Sequence, residues 1–215
     1  MGGRRQASAA ARALPVSFFE RDTAVVARDL LGCVVVRRFG DGREASAVLV
    51  ETEAYLGVAD RAAHTWNGRR TPRVSPMWGP AGRAYVFRVY GRNDCLNVVT
   101  REEGVPEAVL LRAAVPLAWW EGAPLGRAEL LAASGPGRLC RHLGVTTALS
   151  GAPLSGPELF VRAGPPRPFG VLSGPRVGVG YAGEAAAWPL RFAVAACPAV
   201  TARRALRPGG PVSAR

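Results

Sequence analysis

The residues in this chain whose types and spacing could do chemistry begin with Glu51, Glu53 and Tyr55 in V-E-T-E-A-Y-L-G. Carboxylates and imidazoles are the groups that general acid–base chemistry draws on. Side chains alternate along a strand, so Leu49, Glu51, Glu53 and Tyr55 would share one face, and Val48, Val50, Thr52 and Ala54 the other. Two carboxylates and a phenol on one face fit a cleft wall; an ordinary half-exposed strand with its glutamates in water fits the same spacing. His64 follows in a loop with Arg69, Arg70 and Arg73, where a hydrogen-bonded structural histidine and a solvated basic loop are equally open readings. Farther on, A-Y-V-F-R-V-Y-G-R-N-D-C-L-N alternates strictly, with Tyr85, Phe87 and Val89 on one face and Val86, Arg88 and Tyr90 on the other. Tyr90 and Arg92 would tip a hairpin, and exposed aromatics beside arginines are what a nucleic-acid wedge needs. Together, Val48 to Asn97 reads as a pocket for a flat ring and a basic surface that delivers one.

Positioning these groups needs a strand-rich frame. Ser17 with Glu20 three residues later predicts a capped amphipathic helix that stops at Gly32. Two β-branched runs around Gly40-Asp41-Gly42 predict a hairpin whose second strand runs to Tyr55. Leu56 to Pro80 reads as loop. The run E-A-V-L-L-R-A-A-V-P-L is a buried strand with one charge, Arg112, which is either paired, Glu53 being a fitting partner, or at an edge. Residues 118–157 read as one or two helices, with Arg138 and Arg141 near a helix start that would suit a phosphate or simply face solvent. Ser155 to Gly174 reads as turn-heavy connection, and P-L-R-F-A-V as a short strand. The R-V-G-V-G glycines lack the strand and helix of a dinucleotide fingerprint.

At 215 residues one domain is expected, over 16–198, between a disordered basic arm (1–15) and a disordered basic tail (199–215). There are 28 basic residues against 16 acidic ones, a net charge of +12, which favours a polyanionic partner. All the basic residues are arginines, so imine catalysis is left only the N-terminal amine. Cys33, Cys95, Cys140 and Cys197 are too scattered for a metal site or a disulfide framework. No apolar run reaches the roughly 18 residues of a membrane span. A cytoplasmic protein is expected, held to the nucleoid by DNA, with no membrane partner.

The ordered motifs V-E-T-E-A-Y-L-G, A-A-H with G-R-R-T-P-R, Y-V-F-R-V-Y-G with C-L-N, V-L-L-R-A, S-G-P-G-R-L-C, R-V-G-V-G-Y-A-G-E and P-L-R-F resemble the methylpurine (alkyladenine, 3-methyladenine) DNA glycosylase family over roughly residues 16–196. The resemblance implies a single mixed α/β (α+β) domain, with a curved antiparallel sheet flanked by helices and a hairpin that enters DNA. It implies excision of damaged purines (3-methyladenine, 7-methylguanine, hypoxanthine, ethenoadenine) from double-stranded DNA by a monomer. Water would be the nucleophile, an abasic site the product, and no metal or organic cofactor would be needed. On this resemblance Glu53 is the catalytic carboxylate, Arg112 its partner, and the carbonyl of Val177 a further water contact. Tyr55, His64 and Phe87 sandwich the base, Asn97 crowds out guanine, and Tyr90 intercalates. Arg69, Arg70, Arg73, Arg92 and Arg138 would meet the DNA backbone. The competing expectation is a lesion-recognising DNA-binding protein without catalysis, against which the intact Glu53 and Arg112 argue.

Overall fold

The computed structural model describes residues 12–89 and 91–209. The segment after Pro15 folds as two short helices, α1 (Val16–Phe19) and α2 (Thr23–Asp29), instead of the single helix expected from Ser17 and Glu20. Asp22 makes the break. Its carboxylate accepts from the amides of Ala24 at 3.0 Å and Val25 at 3.1 Å and so caps α2, a local bond that competes with helix continuation. Gly32 then turns the chain at φ +84°, a conformation that suits glycine.

Strands β1 (Val34–Arg38) and β2 (Glu44–Tyr55) form the expected hairpin. Residues 56–83 hold short 3-10 turns, as their Gly, Pro and Arg content implies, before β3 (Ala84–Val89), β4 (Asn93–Thr100) and β5 (Glu107–Val115). Three short helices follow: α3 (Leu117–Trp120), α4 (Arg127–Leu130) and α5 (Pro136–Leu143). The stretch expected to be connecting turns holds two strands, β6 (Leu159–Arg162) and β7 (Val171–Gly174). Four residues are too few for alternation to stand out from Pro- and Gly-rich flanks, and both strands are fixed by ladders to distant partners, β1 and β8. β8 (Arg191–Val194) is the strand expected at P-L-R-F-A-V, and β9 (Arg207–Pro208) pairs with β7.

The described strands form one open antiparallel sheet in the order β3-β4-β5-β2-β8-β7-β9, with β1 joined to β2 and β6. β2 is its axis. Val48 pairs with both Val34 and Val115, so β1 and β5 lie on opposite edges of β2, and β8 continues the β1 edge along Glu51–Glu53. Helix α2 packs on β2, and α5 packs on β4 and β5. Leu30, Leu49, Leu96, Leu139 and Leu143 are fully buried between these layers, each contributing roughly 1.5–3 kcal/mol by leaving water. Among the described residues no helix is long and apolar enough to cross a membrane.

The expected disordered tail joins the fold as far as it is described. Ala199, Val200 and Leu206 are buried, and the Thr201 amide donates to Glu51 at 2.7 Å. Its few apolar residues stand among arginines, so composition alone reads it as solvated. At the other end the Leu14 amide donates to the Val161 carbonyl at 2.7 Å. Residues 1–11 and 210–215, the remainder of both arms, lie outside the described residues, as does Tyr90.

Candidate active site

Glu53 lies at the centre of the sheet, wholly removed from solvent, as is Glu51. The wet strand face that their spacing allows is therefore not what the fold builds. Two bulges explain how they meet Arg112. Leu49 opposes Ala114, Glu51 opposes Ala113 and Thr52 opposes Leu111, which leaves Val50 on β2 and Arg112 on β5 without ladder partners. Such bulges re-aim side chains. Here Arg112 donates from Nε to Glu51 at 3.1 Å and from Nη1 to Glu53 at 3.4 Å, so the lone charge of the apolar strand is paired.

Three donors hold Glu53. Besides Arg112, the Tyr55 hydroxyl donates at 2.9 Å to the same oxygen, and the Val177 amide donates at 2.7 Å to the other. The contact that the structure gives Val177 is thus through its amide. Burial pushes the Glu53 carboxyl above the ordinary carboxylate range; Arg112, the Val177 amide and the Tyr55 hydroxyl pull the other way without cancelling it.

Tyr55, Arg112 and Val177 also line a cavity of about 800 Å³. Strand alternation builds its wall: Ala108, Leu110 and Arg112 on β5, Asn93, Cys95 and Asn97 on β4, and Tyr85, Phe87 and Val89 on β3 all line it. The His64 and Phe87 rings meet edge to face with centroids 4.5 Å apart, and Tyr85 stands 5.4 Å from Phe87. His64 Nδ1 shares a hydrogen bond of 2.8 Å with the Tyr85 hydroxyl. Burial, with Arg73 and Arg69 adding to it, pushes the His64 imidazole down to about 4, so it is neutral near pH 7. Asn97 is locked in place by donation to the Tyr85 carbonyl at 2.9 Å. Cavity size and flat aromatic walls suit a planar heterocycle.

The base-pocket residues expected from the sequence thus come together with Glu53 and Arg112. Of the five arginines expected to meet the DNA backbone, only two reach the cavity. Arg73 and Arg138 line the cavity, with Arg73 5.4 Å from the Phe87 ring centre. Arg70 stacks at 3.7 Å over Trp78, and Arg69 receives the Trp78 indole N–H on its carbonyl. Arg92 is exposed in the turn before β4. None of these five forms an ion pair among the described residues. Gly137 lets α5 approach the cavity wall, since a Cβ there would meet the Asn93 side chain at 2.9 Å.

Sequence reasoning missed several supports. Arg176 binds the Asp60 carboxylate with both terminal nitrogens and sits 4.7 Å from the Tyr55 ring centre, while Asp60 accepts from the amides of Leu56 and Ala62. Arg191 binds Glu51 at 3.1 Å. Both arginines carry the signal that singled out Arg112, one charge within a short apolar motif.

A family model described as methylpurine-DNA glycosylase matches residues 17–198. A curated protein of Desulfitobacterium hafniense (strain Y51), named "Putative 3-methyladenine DNA glycosylase", is 44% identical over 189 residues, covering 81% of this chain and 91% of its own. Proteins of the same name from Anaeromyxobacter dehalogenans (strain 2CP-1) and Methanocella arvoryzae are 49% identical over 189 residues and 44% over 195. The first pairing covers 87% of this chain and 85% of the relative, the second 88% and 96%. A match of this extent, over a chain whose fold brings Glu53, Arg112 and an aromatic cavity together, makes the protein a member of the methylpurine-DNA glycosylase family, DNA-repair hydrolases that act on N-glycosyl bonds.

Proposed function

We propose that the protein excises alkylated and deaminated purines, 3-methyladenine, 7-methylguanine, hypoxanthine and ethenoadenine among them, from duplex DNA as a monomer in the cytoplasm. A base within a duplex is out of reach of a buried carboxylate, so the nucleotide is flipped, at a cost of a few kcal/mol that is least for damaged pairs. Tyr90 fills the gap left behind. The everted base stacks among Tyr55, His64 and Phe87, a contact worth roughly 1–3 kcal/mol per base and favouring cationic alkylpurines.

The observation that carries this reading is the acceptor inventory of Glu53. A carboxylate has roughly four lone-pair sites. Tyr55 and Arg112 occupy Oε2 and Val177 one site of Oε1, which leaves one on Oε1 for a water. That water loses its proton to Glu53 and attacks C1′, while the carboxylate stabilises the oxocarbenium-like sugar. The C1′–N bond breaks with its electron pair going to the base, so an N-alkylated purine that is cationic in the nucleotide leaves as a neutral base and needs no acid. Arg73 and Arg138, which line the cavity, hold the flanking phosphates.

The test is release of 3-methyladenine and hypoxanthine from duplex oligonucleotides by the protein and by Glu53→Gln. The expected result is release by the wild type and a loss of about 10²–10⁴-fold in the variant, with lesion binding kept. Tight lesion binding without release by the wild type would show a damage-binding protein instead.

A further inference from the structure

We propose that Glu51 and Thr201 are positioning residues of this site: they hold Arg112 in a fork shared between two carboxylates, which makes the segment after β8 part of the catalytic machinery. The inference rests on the reading of Glu53 as general base and adds residues to it.

Glu51 is the better anchored of the two carboxylates. Arg112 Nε, Arg191 Nη1 and the Thr201 hydroxyl all donate to its Oε1, at 3.1, 3.1 and 2.9 Å, and the Thr201 amide donates to its Oε2 at 2.7 Å. Thr201 closes a ring. Its hydroxyl donates to Glu51 and accepts from Arg112 Nη2 at 3.2 Å, which uses its one donor site and one of its acceptor sites. Arg112 thus has three directed contacts, and the one to Glu53, at 3.4 Å, is the longest.

The loop that brings Thr201 here is itself held hard. Arg191 donates to the carbonyls of Pro175, Thr201 and Ala202 at 2.8, 2.9 and 3.2 Å. Ala202 sits at φ +41°, a left-handed conformation that a side chain adopts only where its surroundings over-determine it. The family match ends at residue 198, so Thr201 lies just beyond it.

The consequence is chemical. If Arg112 served Glu53 alone, a close pair would hold that carboxylate ionised and make it a poor base. Sharing Arg112 with Glu51 keeps the pair long, and the Glu51 charge adds its own repulsion. The groups facing Glu53 are Glu51 and Tyr55 on its own strand, Arg112 from β5, Cys95 from β4 and the Val177 amide; Arg191 of β8 is turned to Glu51.

The experiment compares the wild type with Glu51→Gln, Thr201→Val and Thr201→Ser, measuring single-turnover release of hypoxanthine from a duplex against pH. A parallel ¹³C-carboxyl titration of Glu53 reads the carboxylate directly, whether or not base is released. In Glu51→Gln and Thr201→Val the acid limb and the Glu53 midpoint should move down by about one pH unit, and the plateau rate should fall about tenfold or more. Thr201→Ser should restore both. If Glu51→Gln does not fold, Thr201→Val decides alone. An unmoved Glu53 midpoint in a folded variant overturns the proposal, even where the rate falls. Absence of release by the wild type would instead sink the glycosylase reading, leaving the Glu53 titration to judge the fork.

Discussion

Asp60 grips Arg176 by both terminal nitrogens of its guanidinium, and that guanidinium lies 4.7 Å from the centre of the Tyr55 ring, so a buried ion pair backs one wall of the base pocket. Both side chains are wholly buried. Removing one partner strands the other's charge, at about 3–5 kcal/mol. Arg176→Met should therefore lower unfolding stability by that amount in a denaturant titration. Asp60→Asn combined with Arg176→Met should recover part of it, because no lone charge remains. An additive double variant would show that the pair is not coupled.

The position of Glu53 fixes the sign of a pH prediction. Burial holds its carboxyl above the ordinary value of 4.5 although Arg112 opposes that shift. Base release should accordingly fall away on acidification through a midpoint above 4.5, as the general base takes its proton. Arg112→Gln takes away the opposing cation, so its acid limb should move to higher pH, opposite in direction to Glu51→Gln. A limb that stays put or moves down in Arg112→Gln would separate the limb from Glu53.

Much of this arrangement was legible in the sequence. The alternation put Tyr85, Phe87 and Val89 on one face, which the fold turns into a cavity wall, and a single charge among apolar neighbours marked Arg112 as either paired or at an edge; it is paired. What periodicity could not show is long-range convergence. Asp60 and Arg176 stand 116 residues apart, and Glu51 and Thr201 150 apart. Glu51 and Arg176 each stand out locally as a charge within a short apolar motif, but nothing near them in the chain points to Thr201 or Asp60 as the partner. Asp22 was hidden for the opposite reason: its cap is local, but Ser17 and Glu20 offered an equally good local pattern. The short strands β6 and β9 exist only through their partners.

Arg73 and Arg138 make a prediction in salt. Removing one phosphate contact lowers the slope of log affinity against log salt by about 0.9. Arg73→Gln and Arg138→Gln remove residues that line the cavity and form no ion pair among the described residues. Each should weaken duplex binding at low salt and flatten the slope by about one, for lesion and undamaged duplex alike. A variant whose affinity drops only for the lesion duplex would place its arginine on the base instead of the backbone.

His64 ties stability to pH in a window its environment sets. In the unfolded chain the imidazole titrates near its ordinary 6.5; in the fold, burial and then Arg73 and Arg69 bring it down to about 4. Between those values the unfolded state carries the extra proton, so stability must fall as pH drops from 6.5 towards 4 and change no further on this account below that. The full shift corresponds to at most on the order of 3 kcal/mol, since each pH unit is worth about 1.4 kcal/mol. His64→Gln keeps a polar group facing the Tyr85 hydroxyl but cannot take up the proton. Unfolding measured at about pH 7, 5.5 and 4, the span between the two titrations, should show the wild type losing ground to His64→Gln. Parallel pH dependence in the two proteins would mean that the imidazole titrates alike in the folded and unfolded states, contrary to its burial beside two arginines.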